Sequence, residues 1–331
     1  MIAFELQRYT VDRRLAVGGM AEVFLARETL AVGIERPVVL KKLLRDKRDD
    51  EEFVTMFYDE ARLLASLAHP NIGHIYAAGE AERDHWLVLE YVRGASLREL
   101  MSSAQTSGAL LPETDVLGIG LVLAETLAYV HGACDADGRA LHVVHRDLTP
   151  ANVVVSRDGA VKLIDFGIAR GENRVYETAT GVLKGTCGYM APEQLLEGHD
   201  LDQRVDVFAF GVILYEALTG RHPFGAVAAE ELYDAILTAR CVPLRKLRPH
   251  LGARLDRLLA SCLSRKPDGR PGDMNEIATV LRAELAARGG APLMADLAGL
   301  VRRLAPGDVV VREADVKSDV RTGRWVTEIE R

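Results

Sequence analysis

Asp147 and Asn152 stand five residues apart in VVHRDLTPANVVV (143–155), and Asp165 follows in KLIDFGIAR (162–170). Their side-chain oxygens are hard donors, suited to Mg²⁺, which keeps most of its water and bridges phosphate oxygens. Asn152 and Asp165 are the metal-ligand candidates, and Asp147 is placed to take the proton of an incoming hydroxyl. Singly, each is as well explained as a turn residue or helix cap, because Asp and Asn bond their own backbone in turns. Their joint occurrence in this order, with the residues below, makes that explanation insufficient.

Two further stretches could handle phosphate. LAVGGMAEVFLAR (15–27) reads as strand, Gly-rich turn, strand. Such a turn lets backbone N–H groups approach a phosphate, since glycine has no Cβ in the way, although a plain hairpin fits the pattern equally well. RPVVLKKLL (36–44) places Lys41 in a strand, and period-two alternation points it with Val39 and Leu43 toward the covered face. A strand lysine usually snorkels to the surface, so an inward one needs a partner. Glu60, on the apolar-periodic helix that follows, is the candidate, and an inward Lys–Glu pair can hold the α- and β-phosphates of a nucleotide.

These residues need elements to position them. Residues 9–44 alternate apolar and polar around the Gly-rich turn and predict strands joined by hairpins. The charged run RDKRDDEEF (45–53) predicts a solvated loop, FVTMFYDEARLLASLA a helix ending before His69-Pro70, and HWLVLEYV (85–92) a buried strand. Beyond RGASLREL the pattern is helical to about residue 285, with a strand-rich island at 142–164. The tail 286–331 opens on ARGGAP, a linker-like composition.

The bulk properties set limits. With 331 residues, 48% hydrophobic and 27% charged, the chain has the make-up of a soluble globular protein with a sizeable core. A net charge of −7 argues against a general binder of nucleic acid or anionic membranes. Cys134, Cys187, Cys241 and Cys262 lack C-x-x-C spacing, so free thiols are expected rather than a zinc site or a disulfide framework. MIAFELQRYT has no apolar core of signal-peptide length, and the runs VLGIGLVLAETLAYV and VDVFAFGVILYEALTG look too short for a membrane span, so a cytoplasmic chain is expected.

The series Lys41, Glu60, Asp147, Asn152 and Asp165, followed by GTCGYMAPEQ and DVFAFG, resembles the eukaryotic-like (Hanks-type) bacterial serine/threonine protein kinases. That resemblance implies an α+β, bilobal fold with a small β-rich N-lobe carrying one main helix and a larger α-helical C-lobe. The expected kinase domain is 9–285, with N-lobe 9–90, hinge 90–94 and C-lobe 95–285, ahead of the 286–331 tail. It implies ATP with Mg²⁺ (or Mn²⁺), protein substrates, no nucleic acid or membrane partner, and room for a homodimer. Ala16, Gly18, Gly19, Val23, Val39, Leu89, Glu90, Val92 and Val154 would surround the nucleotide, with Leu89 as gatekeeper and Glu90 to Val92 as the adenine-binding hinge. Glu193 would pair with Arg270. Leu64, Ile75, His145 and Phe166 would form a regulatory spine anchored by Asp206, and Thr186 would bond Asp147. Arg146 would receive a phosphate placed on Thr178 or Thr180, ordering the 165–193 segment.

The chain departs from the family pattern. Ala16 and Ala21 stand where glycine is usual, which would hinder the loop wherever φ > 0 is needed. Val39 replaces a small alanine above adenine. Thr149 replaces the lysine that faces the γ-phosphate, and losing one such donor costs on the order of 10²–10³ in rate. Ala16, Ala21 and Thr149 favour a rival reading as a pseudokinase, a nucleotide-binding scaffold, which the complete set of catalytic residues opposes. A small-molecule phosphotransferase is opposed by the APE and GT segments, which seat a polypeptide.

Overall fold

The computed structural model describes residues 5–135, 137–166, 187–196, 201–225 and 229–306. They form two units, one from 5–65 and 74–91, the other from the described residues of 66–73 and 92–306. The predicted positions Thr178, Thr180 and Thr186 lie outside the described residues.

The first unit is an antiparallel sheet and a helix. Strands β1 (Tyr9–Val17), β2 (Ala21–Thr29), β3 (Glu35–Leu43), β4 (Ile75–Ala81) and β5 (Asp84–Glu90) lie in the order β1-β2-β3-β5-β4. Helix α1 (Glu51–Ser66) buries Phe53, Phe57, Ala61 and Leu64, an i, i+4, i+8, i+11 stripe. Phe53, Phe57 and Ala61 pack on Leu43, Leu87 and Ala21 of the sheet. Each large side chain so buried contributes roughly 1.5–3 kcal/mol. Val38, Leu40, Trp86 and Val88 form a second cluster on the opposite face. The central strands are thus covered on both faces, and a charged residue there must find a partner. Lys42, which the sequence reading leaves unassigned, meets Asp84 at 2.5 Å, and Arg48 joins the same carboxylate at 3.1 Å. Burial alone would raise the Asp84 carboxyl, but these cations outweigh it and hold it below its ordinary range. Strand β4 is not apparent from the sequence because IYAAGEA lies at the sheet edge, where small and polar residues blur the alternation.

The second unit is mainly helical: α2 (Leu97–Thr106), α3 (Glu113–His131), α4 (Arg204–Thr219), α5 (Ala229–Thr238), α6 (Leu244–Leu247), α7 (Ala253–Cys262), α8 (Met274–Ala287) and α9 (Met294–Leu304). A small sheet of β6 (Gly94–Ser96), β7 (Val153–Ser156) and β8 (Val161–Leu163) completes it. Helix α3 packs on α4 and α8, and α4 on α7. Both α3 and α4 are apolar nearly all round, as fully enclosed helices are. Among the described residues, α3 is the one helix long and apolar enough to cross a membrane, which corrects the shorter apolar run read from the sequence; most of it is buried inside the unit. Ser96 caps α2, taking the Glu99 N–H at 3.2 Å while the Glu99 carboxylate takes the Ser96 N–H at 2.7 Å. Helix α9 follows the linker-like ARGGAP, within the 286–331 tail.

Candidate active site

Strand register gathers the first group of candidate residues. Ala16 pairs with Val23, Val23 with Lys41, and Lys41 with Leu87. Directly opposed residues share a face, and positions two apart return to it, so Ala16, Val23, Val39, Lys41 and Leu89 all project on the α1 side. Glu60 lies in the apolar stripe of α1 and is only 1% exposed. A carboxylate in that position would bear an uncompensated desolvation cost without a counter-ion. Lys41 supplies it, with Nζ donating to Glu60 Oε1 at 2.6 Å.

The Gly-rich turn is steric slack rather than necessity. The Gly18 N–H donates to the Ala21 carbonyl at 2.8 Å, and a Cβ on Gly19 would meet nothing within 4 Å. Ala16 lies in β1 and Ala21 in β2, and neither has positive φ. The strain expected of alanine at these positions is therefore absent from this conformation. At the end of β5, the Glu90 N–H donates to the His74 carbonyl at 2.8 Å, and the Glu90 carboxylate takes the His74 N–H at 3.1 Å. Leu89 is half-buried in the α1-side cluster, whose partly buried members include Ile75, and Leu64 is buried on α1.

The second unit holds the carboxylates. Asp206, fully buried at the start of α4, takes the backbone N–H groups of His145 (2.8 Å) and Arg146 (2.9 Å) and contacts His131 Nε2 at 2.7 Å. Burial would raise its carboxyl, but His131, His145 and the His145 backbone N–H hold it below the ordinary range. Burial pushes His145 down, against the pull of Asp206 and Asp165. Its Nδ1 faces the Asp147 N–H at 3.3 Å, a contact that requires an unprotonated nitrogen. The His145 ring also packs against Phe166, tilted by 37° with centroids 4.7 Å apart. Arg146 and Asp165 have φ of +65° and +53°, conformations that cost of order 1–3 kcal/mol in a non-glycine residue and persist only where neighbours impose them. Asp206 is one such neighbour at Arg146.

Asn152 closes the loop. Its Nδ2 donates to the Asp147 carbonyl at 2.9 Å, and its own carbonyl takes the Ile164 N–H at 2.9 Å, next to Asp165. With the NH₂ group directed to Asp147, the amide oxygen is left as the donor toward a cation. This hard oxygen, with a carboxylate next to its backbone partner, fits a divalent metal. Val154 is buried on β7 and Val92 half-buried ahead of β6. Thr149 is buried between Leu148 and Pro150.

Two features downstream complete the arrangement. Arg270 and Glu193 form a buried bidentate pair, at 2.5 and 2.8 Å. Arg270 also donates to the carbonyls of Ser264, Arg204 and Arg265, so its whole donor fork is used. Gln194, unassigned by the sequence reading, donates to the Arg146 carbonyl at 2.9 Å and takes the Ala191 N–H at 2.9 Å. Its place directly after Glu193 in APEQ was the available signal. His131 was also missed, since nothing local links a residue at the end of α3 to Asp206.

Residues 9–282 match the family described as Protein kinase domain, and the chain belongs to that family. It is 41% identical over 295 residues to the tyrosine-protein kinase MasK of Myxococcus xanthus, covering 88% of this chain and 46% of MasK. It is 35% identical over 266 residues to the serine/threonine-protein kinase PknL of Mycobacterium tuberculosis, covering 80% and 63%. The crystal structure of a point mutant of the Mycobacterium tuberculosis PknI kinase domain superposes with a TM-score of 0.61 at 29% identity, over 84% of this chain and 95% of that one. The chain thus spans less than two thirds of the length of these two curated relatives. The fold is that of the protein kinases, a family that uses ATP and a divalent metal.

Proposed function

We propose that this chain is an ATP-dependent protein kinase that phosphorylates serine and threonine hydroxyls. The observation that carries the reading is the buried Lys41–Glu60 contact at 2.6 Å, a desolvated cation held ready for phosphate oxygens. Asn152 and Asp165 are the residues to hold the metal, Mg²⁺ or Mn²⁺, which supplies charge neutralisation at the phosphates. Asp147 accepts the proton of the acceptor hydroxyl. Asp206 and Gln194 keep the Asp147 loop in its strained form by holding the Arg146 backbone from both sides. By the family resemblance, Val23, Val39, Leu89 and Val154 would be the apolar contacts of adenine, and Glu90 to Val92 its hydrogen-bonding edge. By the family resemblance, Arg146 would receive a phosphate on Thr178 or Thr180, and Thr186 would bond Asp147.

The test is intact mass after incubation with Mg-ATP, beside Asp165→Ala, followed by phosphoamino-acid analysis. Phosphate gained by the unmodified chain alone, on serine or threonine, supports the proposal. Thr178→Ala/Thr180→Ala should then lower activity toward an added protein. Nucleotide binding without transfer would leave a scaffold. The name of MasK favours a second reading, a tyrosine acceptor, and phosphotyrosine in the same assay would establish it.

A further inference from the structure

Helix α9 lies beyond the 9–282 stretch that matches the family, yet it is built into the second unit. Leu297, Ala298, Leu300 and Val301 are buried, and the helix packs on α2 and β7. Ser103 of α2 donates its hydroxyl to the Leu304 carbonyl at 2.7 Å. At the β7–β8 turn, Arg157 donates to the Pro306 carbonyl at 3.3 Å. Gly159 in that turn has φ +90°, and a Cβ there would lie 1.8 Å from the Met294 carbonyl oxygen. A Cβ on Gly118 of α3 would likewise lie 2.4 Å from Pro292 Cγ. Two glycines on separate elements therefore leave space for the Pro292 ring and the Met294 backbone, a fit that a trailing linker does not need.

What α9 holds is connected to the site. The Arg157 N–H donates to the Arg93 carbonyl at 2.8 Å, and β6 pairs with β7 through Gly94–Ser156, Ala95–Val155 and Ser96–Val154. Arg93 directly follows Val92. At the other end of the same hairpin, Asn152 precedes β7 and Asp165 follows β8 by two residues. A rigid hairpin gripped at its turn passes that grip to both ends.

We propose that α9 is a clamp on the β7–β8 hairpin that sets nucleotide affinity, so that the working kinase unit extends to residue 306. The proposal rests on the kinase reading for its ligand. Docked, α9 holds Val154 and Asn152 in register with the strand that follows the hinge; undocked, it frees them, and nucleotide binding carries the cost of re-ordering.

The experiment compares Leu300→Ala/Val301→Ala with Leu255→Ala, a buried change in α7 remote from the hairpin. It reads hydrogen exchange and the Kd of Mg²⁺ with a non-hydrolysable ATP analogue. The α9 variant should accelerate exchange at 153–163 without nucleotide and raise Kd about fivefold or more. Leu255→Ala should lower Tm while leaving both unchanged. Unchanged exchange and Kd in the α9 variant, or equal changes in Leu255→Ala, overturn the clamp. Should the α9 variant fail to fold, linkage supplies the same test on the unmodified chain: the analogue must slow exchange in 294–304, and no slowing overturns the proposal. A chain that binds no nucleotide overturns the kinase reading, and exchange at 153–163 still decides whether α9 grips the hairpin.

Discussion

Gln194 and Arg146 are joined by one hydrogen bond across 48 residues of sequence: the Gln194 side-chain amide donates to the Arg146 carbonyl at 2.9 Å. Arg146 sits at positive φ, with its N–H given to Asp206 and its carbonyl to Gln194. Removing either tie lets the residue relax and carries Asp147 with it. Gln194→Leu should cost about 1–2 kcal/mol of stability and lower kcat more than it raises KM for ATP. Chemical denaturation and steady-state kinetics check this; unchanged kcat would mean the Asp147 loop does not depend on that bond.

The Lys41–Glu60 pair predicts an asymmetry between single and double variants. Lys41→Met removes the 2.6 Å cation contact from the buried Glu60 carboxylate and should cost about 3–5 kcal/mol. Lys41→Met/Glu60→Leu removes both charges and should be more stable than Lys41→Met alone. Activity should be lost in both. Equal stability of the two variants would show that Glu60 finds another partner.

Arg270 uses its planar fork on Glu193 and three carbonyls, a geometry that an ammonium does not reproduce. Arg270→Lys should therefore lower Tm by several degrees, and Glu193→Gln by less. A Tm for Arg270→Lys within about one degree of the unmodified chain would show that charge alone suffices.

The pH dependence follows from His145. Its folded pKa is lowered, so as pH falls below the ordinary histidine value the unfolded chain takes up a proton that the folded chain refuses. Stability should rise as pH climbs toward about 6.5 and then flatten, with up to about 1.4 kcal/mol per pH unit from this one group. Asp206, held below its ordinary range, contributes stability above the unfolded carboxylate pKa and loses it only in stronger acid. His145→Phe, which keeps a ring against Phe166, should reduce the slope between about pH 5 and 6.5. An unchanged slope assigns it to other histidines such as His222, also lowered by burial.

Ala16 and Ala21 occupy extended strands. Ala16→Gly or Ala21→Gly should leave KM for ATP unchanged and cost roughly 0.5–1 kcal/mol, because glycine adds only unfolded-state freedom in a strand interior. A lower KM in either variant would show that the turn takes up a positive-φ form when nucleotide binds.

The sequence by itself determined what local periodicity and residue chemistry encode: strands around the Gly-rich turn, helix α1, the inward face of Lys41 and the candidacy of Glu60. A carboxylate inside the Phe53–Phe57–Ala61–Leu64 stripe requires a cation nearby, and alternation in β3 offers one. The family resemblance carried further, to Glu193 with Arg270 and to Asp206. Only the tertiary structure decided the rest. Strand β4 exists because β5 offers it an edge, since its own alternation is weak. Helix α9 exists as a docked element because α2 and the β7–β8 turn cover its apolar stripe. His131, Gln194 and Lys42 acquire roles from partners that the fold delivers, Asp206 and Arg146 from far along the chain and Asp84 from across the sheet. A buried polar group must be satisfied, but nothing in its own neighbourhood of sequence says by whom.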